Sequence, residues 1–357
     1  DIDDIYIEDL EKIYPEASSQ YTSDKEFNDL AKLINKQLNE NEKELIEKWD
    51  KIKKISVDSI KKVLEMLHHK FDIWNGESDV NNLIPDMLVN LKEEKKISLD
   101  KGAYVSNLDT DPKILITKSD GSYLYLTTDL ATVIKRRKDI KMDKTLYIVD
   151  KRQKLHFEQL FSSIEYFELG DEEFIHVEFG TVNDSKGNPF KTRDGDTKKL
   201  IDLFDETFSK IKKINKDLDD DTCKLLTNTV LTFSDLISNR MTDYKFDLDK
   251  FTNISGKTGI YVQYAFVRAN KLLENSSDSI NDVSLDFSLL DEDDLSLIKC
   301  LIKFEYVFKQ ALNGNEPHHL ADYLYELSNH FNSMYQSTNI LENKNIKIKF
   351  NKLKITS

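Results

Sequence analysis

Thr145-Leu146-Tyr147-Ile148-Val149-Asp150 and, further on, Phe174-Ile175-His176-Val177-Glu178-Phe179 decide the fold. Both runs are short, rich in β-branched and aromatic residues and bounded by polar ones, which is how strands read. Between them, residues 154–167 carry apolar side chains three and four positions apart, the period of a helix. Strand, helix and strand in alternation build a mainly parallel, doubly wound sheet. Such sheets bind ligands at the C-terminal ends of their strands. Upstream, Gly102-Ala103-Tyr104-Val105, Ile114-Leu115-Ile116-Thr117 and Tyr123-Leu124-Tyr125-Leu126 read as further strands, with a helix over 130–138. Residues 25–70 read as helix pairs that turn at Asn39-Glu40-Asn41.

Beyond Asp196 the strands stop. Helical periods run over 198–213, 221–237, 259–273, 289–312 and 318–335, and a separate helical bundle is the simplest account. A polar loop, Glu274-Asn275-Ser276-Ser277-Asp278-Ser279, interrupts it. The expected organisation is therefore α/β plus all-α: connective helices over 1–79, a Rossmann-like part over 80–217 and a helical domain over 218–357.

The chain has 357 residues, of which 39% are hydrophobic, 32% charged and 10% aromatic, a balance that folds rather than stays disordered. No run approaches the roughly 18 apolar residues of a membrane helix, and Asp1-Ile2-Asp3-Asp4 does not read as an export signal. Cys223 and Cys300 show no metal-binding or disulfide spacing, so a reducing compartment and no zinc site are expected. The net charge of −14 argues against a nonspecific DNA binder. It leaves room for a protein that recognises one folded RNA through local patches.

Three segments could carry chemistry. Ser119-Asp120-Gly121-Ser122 leads through the Tyr123 run into a helix that Thr127 or Thr128 could cap, with Asp129 in its first turn. Asp129 there either faces a ligand or complements the helix dipole. The Thr145 strand ends in Lys151-Arg152-Gln153-Lys154-Leu155-His156, where His156 is either part of a site or a helix-surface histidine. Asn183 to Thr197 is a loop with two glycines and the basic residues Lys186, Lys191 and Arg193, suited either to clamping phosphates or to a solvated hairpin. Neither the dinucleotide fingerprint Gly-x-Gly-x-x-Gly nor the P-loop pattern occurs.

Taken in order, these segments resemble the second half of the catalytic domain of class I aminoacyl-tRNA synthetases, specifically arginyl-tRNA synthetases. Tyr123 to Ala131 and Leu146 to Asp150 with Gln153, Leu155 and His156 resemble that family's strands and helices around the arginine pocket. Phe179-Gly180-Thr181-Val182 with Pro189-Phe190-Lys191-Thr192-Arg193 resembles its degenerate KMSKS loop. Ser234-Asp235-Leu236 with Asn239-Arg240, then Tyr261-Val262-Gln263-Tyr264-Ala265 with Arg268, and His318 to Leu327 resemble its helical anticodon-binding domain.

The resemblance implies an arginine–tRNA ligase that works through an arginyl-adenylate, with ATP and Mg²⁺ as substrate complex and no resident metal. Tyr125, Asp129 and Gln153 would line the arginine pocket, and His156 would stand in the wall on the ATP side. Gly180, Thr181 and Val182 would lie beside the adenine, while Lys191 and Arg193 would steady phosphate charge as arginine attacks. Tyr261, Gln263, Tyr264 and Arg268 would approach the anticodon, the tyrosines serving either there or in helix packing. The implied partners are L-arginine, ATP and the arginine tRNA, with no DNA and no membrane, for a cytoplasmic monomer.

Two departures stand out. His68-His69 is followed by Lys70-Phe71 in an apolar helix pattern, so the HIGH-type motif is missing. The first half of the nucleotide-binding fold is also absent, so a fragment of a longer synthetase is expected. The alternative is a naturally truncated synthetase-like protein that binds tRNA or a protein partner without catalysis.

Overall fold

The computed structural model describes residues 5–39, 42–183, 199–276 and 284–357. In chain order α1 (Ile7–Ser23), α2 (Lys25–Asn39) and α3 (Lys43–Met66) come first. There follow α4 (Ile84–Glu93), β1 (Ile97–Asp100), β2 (Ala103–Ser106), α5 (Tyr125–Asp139), β3 (Lys144–Asp150), α6 (Lys154–Tyr166) and β4 (Glu173–Phe179). The remainder is β5 (Val182–Asn183), α7 (Leu200–Ile214), α8 (Asp220–Leu236), β6 (Tyr244–Lys245), α9 (Leu248–Phe251), α10 (Gly259–Glu274), α11 (Glu292–Ile302), α12 (Phe304–Gly314), α13 (His318–Ser337) and α14 (Ile346–Thr356). Two compact units result: an α/β unit of Phe71–Thr181 with Arg240–Tyr244, and a helical unit of Asp1–Lys70, Val182–Asn239 and Lys245–Ser357. Among the described residues no helix is long and apolar enough to cross a membrane.

In the α/β unit, β3 and β4 pair in parallel, Lys144 opposite Glu173 through Asp150 opposite Phe179. Helix α6 is the crossover that parallel pairing requires. Among the described residues β3 and β4 pair only with each other, so the sheet is smaller than the alternation suggested. β1 and β2 form an antiparallel hairpin instead. Its two-residue turn has Lys101 at φ +48° and Gly102 at φ +85°, the left-handed pair a tight hairpin needs, so Gly102 belongs to the turn and not to the strand. The run 114–117 contributes isolated bridges, Val105 to Leu115 and Thr117 to Tyr123.

The Tyr123 run is not a strand. Helix α5 begins at Tyr125, because the Leu124 amide donates to the Thr127 hydroxyl at 3.1 Å and closes the first turn early. The same hydroxyl donates to the Ile116 carbonyl, tying the helix start to the neighbouring segment. Asp129 therefore lies past the first turn, and complementing the helix dipole is no longer its evident role. Ile84, Leu91, Ile114, Ile116, Leu130, Leu160 and Ile164 form the core between helices and strands. Each such fully buried aliphatic side chain stabilises the fold by about 1.5–3 kcal/mol.

In the helical unit, Ala265, Leu272, Leu297, Phe331, Met334 and Leu353 share one core. The single helix expected over 289–312 is two, α11 and α12, joined at Lys303. Helix α14, absent from the sequence reading, buries Lys352. Its ammonium donates to Asp291 and to Asp294, both at 2.8 Å, and these carboxylates also cap α11. His68 and His69 follow the end of α3 rather than lying within it, His68 in the left-handed region at φ +57°. The expected turn at 40–41 and the loop from Ser277 lie outside the described residues.

Candidate functional site

Because β3 and β4 run parallel in register, the segments that follow Asp150 and Phe179 leave from one edge of the pair. The first continues into the start of α6. Asp150 accepts the Arg152 amide at 2.8 Å and also pairs with its guanidinium, and this fork holds the Asp150 carboxyl below the usual carboxylate range. Two residues into α6, His156 directs Nε2 to the Asp129 carboxylate, 2.7 Å from Oδ2. Both side chains are about one-quarter to one-third exposed, so a solute can reach the pair. A carboxylate only accepts, so Nε2 carries the proton in this contact. Among the described residues His156 engages Oδ2 alone, which leaves Oδ1 able to accept from a second donor.

Tyr147 lies close to this pair and forms the floor on which α6 packs, its ring 5.1 Å from Phe157. Burial, reinforced by the negative charges of Asp129 and Glu172 and opposed by Arg136, pushes its phenol up to about 12. The hydroxyl is buried and has no hydrogen bond of ordinary geometry among the described residues, although the Arg136 guanidinium acts on it.

After β4 the chain is clamped by residues 240–244. The Gly180 amide donates to the Arg240 carbonyl at 2.6 Å, and the Arg240 guanidinium donates to the Glu178 carbonyl. The Thr181 amide donates to Asp243 at 2.8 Å, and Lys151 reaches the same carboxylate at 2.9 Å. The Thr181 amide foremost, then Lys151, hold the Asp243 carboxyl below its ordinary value. A Cβ on Gly180 would stand 2.6 Å from the Thr242 carbonyl oxygen, so the close approach requires glycine.

Of the residues singled out from the sequence, Asp129 and His156 meet directly. Tyr125 opens α5 with 72% of its surface exposed, and Gln153 is exposed immediately before α6. Gly180 and Thr181 sit in the clamp, with Val182 next in the chain. Lys191 and Arg193 lie outside the described residues. Asp243, Lys151 and Arg136 were not singled out, since their partners are distant in sequence. Arg240, read with the C-terminal helices, belongs to the α/β unit.

On α10 the four expected RNA-facing residues divide. Tyr261 packs half-buried against Tyr325, ring centres 5.6 Å apart. Arg268 lies 4.1 Å above the Tyr264 ring and donates to the Tyr264 hydroxyl at 2.7 Å and to Asn332 at 2.9 Å. Gln263 faces elsewhere, into a cavity of about 460 Å³ whose other walls include Phe266, Leu301, Leu324 and Phe331.

The chain is similar to known proteins along most of its length. Residues 2–248 match the family of class I (R) tRNA synthetase catalytic domains, and residues 262–357 match the DALR anticodon binding domain. An arginine–tRNA ligase of Francisella tularensis subsp. holarctica is 37% identical over 342 residues, which cover 93% of this chain and 59% of that protein. The arginyl-tRNA synthetase of Plasmodium falciparum superposes with a TM-score of 0.78 at 26% identity, over 95% of this chain and 60% of that one. That of Thermus thermophilus superposes at 0.76 with 18% identity, over 95% and 65%, which speaks for the fold. The chain spans about six tenths of the length of the curated relatives it matches. With a matching catalytic domain followed by a helical anticodon-binding domain, the chain belongs to the class I arginyl-tRNA synthetase family.

Proposed function

We propose that this chain works in an arginine–tRNA ligase, which joins arginine to its tRNA through an arginyl-adenylate at the expense of ATP. The observation that carries this reading is the Asp129 carboxylate, reachable by solute and held by His156 on one oxygen only. A guanidinium is a fitting partner for such a carboxylate, through a charge-assisted hydrogen bond to Oδ1. A two-pronged fork would displace His156, whereas a single-oxygen contact would keep it. The exposed Tyr125 and Gln153 side chains flank the same edge and would supply the aromatic wall and a polar contact.

ATP enters with Mg²⁺ as substrate. The amides of Gly180 and Thr181 are already spent on Arg240 and Asp243, so adenine beside Gly180, Thr181 and Val182 would be held by packing more than by these two donors. Lys191 and Arg193 would bring positive charge to the phosphates, a positioning and electrostatic task. In the bundle, Tyr264 with Arg268 and the Gln263 cavity offer a stacking surface and a polar edge for unstacked anticodon bases. In this reading residues 1–79 are connective helices of the catalytic domain, 80–217 its Rossmann-like part and 218–357 the anticodon-binding part. The protein would act as a monomer in the cytoplasm, where charged tRNA is consumed.

The test is arginine-dependent pyrophosphate exchange and tRNA charging by the complete natural protein, with tRNA present throughout. Asp129→Ala leaves the substrate cation unpaired, and the expected loss in arginine kcat/KM corresponds to about 2–5 kcal/mol. Unchanged KM and kcat for arginine would overturn the assignment. A natural protein that binds tRNA without charging it would favour the noncatalytic alternative.

A further inference from the structure

We propose that Cys300, Glu326 and His330 form a binding site for a zinc-class divalent transition metal in the helical unit. Cys300 projects from α11, and Glu326 and His330 project one turn apart from the same face of α13. The Cys300 Sγ, a Glu326 carboxylate oxygen and a His330 ring nitrogen all lie within 4.8 Å of one another. Zinc bonds of about 2.3 Å to sulfur and 2.0–2.2 Å to nitrogen or oxygen place tetrahedral ligands about 3.3–3.7 Å apart. His330 Nε2 and Glu326 Oε1 are already 3.7 Å apart. Gathering all three takes a contraction of roughly one ångström, within the reach of the two partly exposed side chains on α13.

The donor set is chemically coherent. Thiolate and carboxylate together neutralise a divalent ion, imidazole completes three protein ligands, and water fills the fourth position. A thiolate selects zinc, cobalt or cadmium over magnesium and calcium. Cys300 is 1% exposed, so the metal arrives from the Glu326 and His330 side and the thiol proton leaves to solvent as the Sγ–metal bond forms. Lys303 now holds the Glu326 carboxylate at 3.0 Å. Its own side chain is 55% exposed and can swing aside or keep the oxygen the metal does not use. The other histidine–carboxylate group, Glu316 with His318 and His319, lies at the start of α13, where the helix dipole opposes a cation, and it offers no sulfur.

The test is titration of the full chain, free of any affinity tag, with Co²⁺ followed by Zn²⁺. The expected result is the visible absorption of tetrahedral cobalt with a thiolate-to-cobalt charge-transfer band, both lost on adding zinc. Cys223→Ser should leave the spectrum unchanged, Cys300→Ser should abolish the charge-transfer band, and His330→Ala should weaken cobalt binding at least tenfold. Should Cys300→Ser fail to fold, His330→Ala decides, because its side chain is partly exposed and holds no core position. Absence of the charge-transfer band from the native chain, its survival in Cys300→Ser, or unaltered affinity in His330→Ala would each overturn the site. In those cases Glu326 serves as the partner of Lys303 and His330 without a metal.

Discussion

Asp129 and His156 stand 27 positions apart, and nothing in either local pattern links them; the parallel crossover brings them to 2.7 Å. The resemblance placed His156 with ATP, whereas its partner in the structure is Asp129, the residue proposed to meet arginine. The two roles are separable by kinetics. His156→Ala removes a hydrogen bond to a charged group, for which about 1.5–3 kcal/mol is usual, so KM for arginine should rise by roughly 10- to 150-fold. KM for ATP should stay where it is. A variant that loses ATP affinity and keeps arginine affinity would return His156 to the nucleotide. Tyr147 shows a similar limit of sequence reading, since its strand position was plain while its buried hydroxyl was not.

Elements were legible where apolar residues kept one period. Helices α6, α8, α10 and α13 begin and end within about two residues of expectation. The run Tyr123 to Leu126 failed for a specific reason: strong β propensity lost to one Thr127 hydroxyl that caps a helix. Helix α14 escaped because a lysine occupies its core position. Burial, the largest influence on Lys352, pulls its ammonium down, yet Asp291 and Asp294 together hold it above the ordinary lysine value. Burial likewise lifts the Asp291 carboxyl, but Lys352 and the Asp294 amide outweigh it and the net direction is down.

The raised lysine contributes stability in full below its ordinary value of 10.5 and loses it as pH rises through the higher folded value. The lowered Asp291 contributes above its ordinary 3.8 and loses it as pH falls through the lower folded value. Between these limits the anchorage of α14 should be flat with pH. Lys352→Met strands the buried Asp294 carboxylate and should cost about 3–5 kcal/mol in urea unfolding. Adding Asp294→Asn should recover part of that loss, since the amide keeps a capping oxygen without the charge. An unfolding midpoint unmoved by Lys352→Met would refute the anchoring role.

At the scale of the molecule, the two cores share no residue, one built on Leu130 and Leu160, the other on Met334 and Leu353. Calorimetry should accordingly resolve two unfolding transitions. Leu160→Ala should lower only one and Leu353→Ala only the other, each by about 2–5 kcal/mol. A single transition shifted by both variants would contradict the division. The change of period near residue 196 separated a strand-bearing part from a helical part, but the expected divisions at 79/80 and 217/218 are not those of the two units, which part after Lys70 and after Thr181. The sequence did not show that residues 240–244 return to the α/β unit, because that depends on backbone contacts made by Gly180 and Thr181. Those contacts make the chain from 182 to 239 an excursion whose two ends are already fastened side by side. Lengthening a flexible connection within it costs only about 0.6 kcal/mol per doubling, because closure entropy grows only with the logarithm of length. Gly180 and Arg240 therefore hold the register of the strands beneath independently of the length of chain that runs between them.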